Sequence, residues 1–198
     1  ASDVYKRQVQ QALALFKQAL LIQRELGDRD GETLTLNNIA NALRIMGHPQ
    51  QALVLFQDVL SRYRALGFRL GEAIALHNMA MIFKYMGRLQ QALRLAEQAA
   101  LIRHEVGDSA GEALTLDLIA EIYRQTEQPQ QALTLYEQTL RIQHEIGDRF
   151  SEAATLNNTA EVYRQIRQPQ QALIFYEQAL VIARATGYRA GEAATLNN

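Results

Sequence analysis

Four residues, Gln-Gln-Ala-Leu, recur five times along this chain, and the step between copies is always forty. The copies stand at Gln10 to Leu13, Gln50 to Leu53, Gln90 to Leu93, Gln130 to Leu133 and Gln170 to Leu173. Gly27, Gly67, Gly107, Gly147 and Gly187 keep the same step, as do Glu32, Glu72, Glu112, Glu152 and Glu192. Residues 112–149 and 152–189 are identical at more than half their positions. A fixed period of this size means that each repeat is one small unit burying its apolar face against its neighbours. No insertion breaks the period, so neither an internal linker nor a second domain is expected.

Each period reads as two helices. Helix A is expected over 30–46, 70–86, 110–126 and 150–166, with a truncated start at 190. Helix B is expected over 50–66, 90–106, 130–146 and 170–186, with an incomplete copy at 9–26. Pro49, Pro129 and Pro169 stand at the start of helix B, where a missing N–H costs nothing. The five repeated glycines close helix B in the left-handed conformation. Asp28, Asp108 and Asp148 follow them as N-caps of helix A. Gly47 and Gly87 close helix A in two repeats, but Glu127 and Arg167 replace them, which makes those turns less favourable. In helix A, Leu76, Met79, Ala80 and Phe83 follow the i, i+3, i+4, i+7 pattern, matched by Leu116, Ile119, Ala120 and Tyr123. In helix B, Ala132, Leu133, Tyr136, Leu140 and Ile142 are expected to form the buried stripe. Ala40, Ala80, Ala120 and Ala160, with Ala52, Ala92, Ala132 and Ala172, let helix axes approach closely, and Phe56, Tyr136 and Tyr176 fill the adjacent hollows.

Composition narrows the function. Lys plus Arg is 20 against Asp plus Glu at 21, a net charge of −1. That balance argues against coating nucleic acid or a membrane surface. With no Cys, disulfides, zinc ribbons and thiol nucleophiles are excluded. No apolar run approaches a membrane span, and a cytoplasmic location is expected. Residues 1–8 (Ala-Ser-Asp-Val-Tyr-Lys-Arg-Gln) resemble the translation of a transposon-end sequencing adapter and are set aside from the array at 9–198. The chain stops at Leu196-Asn197-Asn198, part-way through the pattern. A fragment of a longer, bacterial protein is therefore expected.

The residues Leu156, Ala160, Tyr163, Ala172, Tyr176 and Ala179 are similar to the tetratricopeptide repeat signature, stretched to forty residues. The longer form, with Leu-Asn-Asn opening helix A, resembles repeats of kinesin light chains and spindle-orientation adaptors. It also resembles bacterial arrays that accompany signalling ATPase or caspase-like modules. Leu118, Thr159 and Ala96 depart from the signature, as does the missing Pro after helix B. HEAT and armadillo repeats have a similar length, but their helix A Pro and Asp/Arg pattern are absent. The resemblance implies an all-α fold: an α-solenoid of stacked antiparallel helix pairs forming a right-handed superhelix, with helix A lining its concave surface.

At 100° per residue, Leu36, Ile39, Ala40 and Leu43 share one side of helix A. Asn37, Asn41 and Arg44 are expected to point opposite, with Asn38 on the shoulder. Equivalent positions hold His77, Asn78, Met81 and Lys84; then Asp117, Leu118, Glu121 and Arg124; then Asn157, Asn158, Glu161 and Arg164. Asn can both donate to and accept from a peptide backbone, and Arg makes charge-assisted bonds to carboxylates. The resemblance implies that use: Asn on the peptide main chain, cations on acidic side chains. A solvated polar face would show the same residues, and Glu121 and Glu161 stand where they can neutralise Arg124 and Arg164.

The histidines offer little chemistry. His104 and His144 occupy the place of Arg24, Arg64 and Arg184, where a cation suits a helix C-terminus. His48 reads as a cap before Pro49, and His77 has a place on the ligand face. Neither a metal nor a cofactor is expected, and no Gly-x-Gly-x-x-Gly, Walker or Gly-x-Ser-x-Gly motif occurs, so enzyme activity is not expected. The leading expectation is a protein–protein interaction scaffold that binds an extended peptide or partner segment. The alternative is the sensor or regulatory arm of a larger signalling protein. Recognition of single-stranded RNA would need a basic excess and stacking side chains. Terminal helices without polar caps imply fraying of 1–26 and 190–198 or end-to-end self-association.

Overall fold

The computed structural model describes residues 2–197, with side chains from residue 7 onward. Ala1 and Asn198, at the tips of the segments read as adapter and as fraying end, lie outside the described residues. Ten helices follow one another: α1 (Ser2–Leu26), α2 (Arg29–Ile45), α3 (Pro49–Leu66), α4 (Arg69–Tyr85), α5 (Leu89–Val106), α6 (Ser109–Gln125), α7 (Pro129–Glu145), α8 (Arg149–Gln165), α9 (Pro169–Ala185) and α10 (Arg189–Leu196). There is no strand among the described residues. Apart from α1, every helix starts and ends within one residue of its expected place until the truncated last. Helix α1 begins at Ser2 rather than at residue 9.

The punctuation acts as the sequence implies. Pro49, Pro129 and Pro169 begin helices α3, α7 and α9. Carboxylates of Asp28, Asp108 and Asp148 accept the backbone N–H of Gly31, Gly111 and Ser151 at 2.9, 3.0 and 3.0 Å. His48 occupies an N-cap position but makes no side-chain cap bond, which corrects that expectation. The chain reverses after helix A at a positive φ even where glycine is missing: Glu127 has φ 58° and Arg167 has φ 60°. Such residues carry a cost that Gly47 and Gly87 avoid.

The repeated Glu has a partner at each corner. Arg24, Arg64 and Arg184, in the last turn of one helix B, reach Glu32, Glu72 and Glu192 of the following helix A at 3.2, 2.8 and 2.9 Å. His104 and His144 take the same place beside Glu112 and Glu152, at 3.1 and 3.5 Å. The three arginines therefore face an acid across the corner as well as the carbonyl end of their own helix.

The chain forms two compact units, residues 1–102 and 103–198, with the boundary inside α5. Within each unit, successive helices pack on one another, and helix A also touches helix A of the next repeat, α2 on α4, α6 on α8 and α8 on α10. The first unit's core gathers Leu36, Phe56, Val59, Leu76 and Ile82 around Ala40 and Ala52. In the second, Tyr136 packs with Ala120, Ala132 and Val162, and Tyr176 with Ala160 and Ala172. The stripe of α7 departs from expectation. Its buried residues are Ala132, Tyr136, Thr139 and Gln143, while Leu133, Leu140 and Ile142 are half-buried. Helix α7 packs against both α6 and α8, so burial follows two contact directions rather than one stripe.

Candidate functional site

Helix A is where the expected site residues fall, and stacking of helix A on helix A decides which of them face solvent. Asn37 is 9% and His77 5% exposed, so both are buried. Asp117 Oδ1 accepts the Thr155 hydroxyl at 3.3 Å and the Asn158 amide at 3.5 Å. Asn157 Nδ2 donates to the Thr195 hydroxyl at 2.9 Å. This position thus lies between neighbouring A helices, which corrects the expectation that Asn37 and its counterparts project away from the core. A projection of one isolated helix has no term for the next repeat.

The other expected residues are more accessible. Asn38, Asn41, Arg44, Asn78, Lys84, Asn158, Glu121, Arg124 and Glu161 are half-buried, and Arg164 is exposed. Sequence reasoning missed their apolar neighbours on the same helices: Leu34 and Leu114, each 57% exposed, and Tyr85, 80% exposed. Leu34, Ile74 and Leu114 recur every forty residues outside the core stripe, a signal that was present in the sequence.

The cations have different surroundings in the two units. In the first, Arg44 donates through Nε and Nη2 to the neutral Asn41 Oδ1 at 3.1 and 2.8 Å. The residue three before Lys84 is Met81. In the second, that place is acidic: Arg164 meets Glu161 at 2.6 Å and Arg124 approaches Glu121 at 3.9 Å. The Tyr176 hydroxyl donates to Glu161 Oε1. Burial would raise the Glu161 carboxyl, but the bonds from Arg164 and Tyr176 hold it below the usual carboxylate range. Burial and that same carboxylate push the Tyr176 phenol up to about 12.

Two of the concavities are first candidates for a ligand. Arg44, Lys84, Met81 and Tyr85 line one of about 340 Å³ in the first unit, and no carboxylate lines it. A larger cleft of about 750 Å³ lies on the helix B side of the second unit, with Leu140, Leu156, Ile174 and Val181 among acids and bases. Among its charges, Glu152 is 2.7 Å from Arg149 and 3.5 Å from His144. Size favours the cleft, whereas the pairing of two cations with apolar walls favours the smaller pocket. No group of three or more His, Asp or Glu that could hold a metal occurs among the described residues. Among those residues, no helix is long and apolar enough to cross a membrane.

The helix-pair repeat, its alanine contacts and its corner glycines define the class, and the family profile agrees. The chain belongs to the tetratricopeptide repeat family, whose profile matches residues 3–65, 71–145 and 119–185. Kinesin light chain TPR-like repeats from Podospora anserina share 24% identity at a TM-score of 0.74, over 94% of this chain and 93% of that one. BtubC of P. vanneervenii is 17% identical at a TM-score of 0.76, over 96% and 88%. The Rap conjugation gene regulator of plasmid pLS20, solved with a Phr peptide, is 15% identical at 0.76; the match spans 98% of this chain and 55% of the regulator. At these identities the likeness shows the fold. No curated protein matches the chain in sequence.

Proposed function

We propose that the chain is a protein–protein interaction scaffold, without enzymatic activity, that binds an extended peptide or partner segment along helix A. One observation carries the reading. Arg44 and Lys84, the same position one repeat apart, line a single pocket with Met81 and Tyr85. An acidic side chain entering there gains charge-assisted bonds, while Met and Tyr supply apolar contact. Half-buried Asn38, Asn41 and Asn78 stand on the same helices to hold peptide main chain. The remaining site residues take supporting roles: Asp117, Glu121, Arg124, Asn157, Asn158, Glu161 and Arg164 in the second unit, with Asn37 and His77 acting from within the stack. Support also comes from the fold's company, since two Rap proteins were solved with competence and sporulation factor and with a Phr peptide.

Fluorescence anisotropy with a labelled peptide library tests this. Saturable binding of acidic members is expected, weakened at least tenfold by Arg44→Ala with Lys84→Ala and by added salt. Affinity unchanged in that double variant refutes the reading.

A second reading is a regulatory arm within a larger signalling protein, in the way that the pLS20 regulator is nearly twice the matched span. It keeps the same helix A face and differs in what the face holds. In either case a cytoplasmic protein is proposed. End-to-end self-association is also proposed, since Leu15, Leu21 and Leu26 of α1 are 61–75% exposed; light scattering across a dilution series tests it.

A further inference from the structure

One corner of the repeat is filled around Tyr63 in the first unit and open around Gln143 in the second. It lies where the last turn of helix B meets the N-cap of the next helix A. In the first unit, Tyr63 meets Phe68 edge-on, ring centroids 5.3 Å apart. A Cβ added to Gly71 would come within 2.4 Å of Phe68 and 2.8 Å of Tyr63, so no space is left. Eighty residues on, the same places hold Gln143, Asp148 and Ser151. There a cavity of about 340 Å³ opens, lined by Asp117, Gln143, Asp148 and Thr155 with Leu114 and Phe150.

We propose that this cavity is a pocket for a basic side chain, Arg or Lys, of a bound peptide. Its source in a peptide rests on the reading above; its chemistry rests on the cavity alone. Gln143 is 4% exposed, and its Oε1 is buried with no hydrogen-bond partner. A buried acceptor of that kind calls for a donor. Asp117 and Asp148 bring negative charge, and no Lys or Arg is among the lining residues. Both carboxylates are already held in place, Asp148 by the Ser151 N–H and Asp117 by Thr155 and Asn158. A guanidinium offers five donors and an ammonium three, with no acceptor to clash. The alkyl stem of either matches the walls: Leu114 and Phe150 are 57% and 54% exposed. Phe150 is braced by Tyr188, ring centroids 4.0 Å apart, and its face can also receive a cation.

The test is a titration of the full chain, labelled with nitrogen-15, by the capped tripeptides acetyl-Ala-Arg-Ala-amide, its Lys analogue and its Glu analogue. Arg and Lys peptides are expected to give saturable shifts at Leu114, the Gln143 side-chain amide and Phe150, with Kd on the order of 1 mM for one side chain. The Glu peptide shifts none of them. Gln143→Tyr with Asp148→Phe and Ser151→Gly transplants the filling of the Tyr63–Phe68 corner, with the glycine that it needs, and is expected to fold and to abolish the shifts. Asp148→Asn, which can still cap the helix, is expected to weaken them about tenfold and decides the matter if the triple variant unfolds. Equal shifts with the Glu peptide, no shifts with Arg or Lys up to about ten times that Kd, or undiminished shifts in the folded variants overturn the proposal. Arg44→Ala with Lys84→Ala leaves this titration unchanged. Loss of library binding in that variant beside an intact titration supports both readings. Intact library binding beside an intact titration refutes only the function proposed above.

Discussion

The two units place different chemistry at matching positions. In the first, Phe56 of helix B lies in line with Asn41 and Arg44 of helix A, and Tyr63 fills the corner with Phe68. In the second, Tyr176 donates to Glu161, which binds Arg164, and Gln143 leaves its corner open. An apolar ring needs no partner, so the nearby cation stays beside a neutral amide. At Tyr176 the phenol hydroxyl reaches the Glu161 carboxylate, and that carboxylate binds the cation. The two units therefore differ in what stands beside a helix A cation, the Asn41 amide at Arg44 and the Glu161 carboxylate at Arg164.

The largest expected effect comes from emptying the shared hollow. Phe56 is fully buried, and Phe56→Ala should cost about 3–5 kcal/mol by denaturant titration, although Ala96 stands at the same repeat position. A small loss would mean that the rings are not what hold the helix pairs together. Ala120→Leu should cost about 1–3 kcal/mol, because Ala120 is fully buried against Tyr136 and its neighbours.

The tyrosines sharpen the comparison further. Tyr176→Phe removes a bond to a charged acceptor and should lose about 1.5 kcal/mol. Tyr136→Phe should be neutral or slightly stabilising, since the Tyr136 hydroxyl is buried without a hydrogen-bond partner and Phe56 is its natural counterpart. Equal effects at both would contradict the coupling of phenol to carboxylate. Smaller still, Glu127→Gly should gain about 0.5–1 kcal/mol by relieving a positive φ, visible as a higher Tm.

Acid should act on both units, since in the second Glu161, despite its burial, and Glu192 are held low by Arg164 with Tyr176 and by Arg184. Arg24 holds the Glu32 carboxyl below its ordinary 4.5, and at Glu72 bonds from Arg64 and Arg69 outweigh the upward push of burial. Folded values below the unfolded one make this stabilisation complete above pH 4.5 and lost as pH falls through the lowered values. Melting temperature should therefore hold steady down to about pH 5 and decline below 4.5.

Most of the fold was legible because a forty-residue period repeats its own punctuation: proline, glycine, aspartate and small alanines each mark one local event. The candidate site was less legible. Asn37 and His77 read as outward on a single helix, yet both are buried, and within each unit helix A packs on helix A. Leu34 and Leu114 were visible as apolar residues off the core stripe. The open corner depends on three residues, Gln143, Asp148 and Ser151, whose joint meaning appears only when α7 and α8 are placed together.

The face proposed to bind peptide can be tested by hydrogen exchange on the full chain, with and without a saturating acidic peptide from the library. Slower exchange and side-chain protection centred on α2 and α4, around Arg44, Lys84 and Tyr85, is the expected result. Protection confined to the helix B cleft around Leu140, Ile174 and Val181 would contradict it.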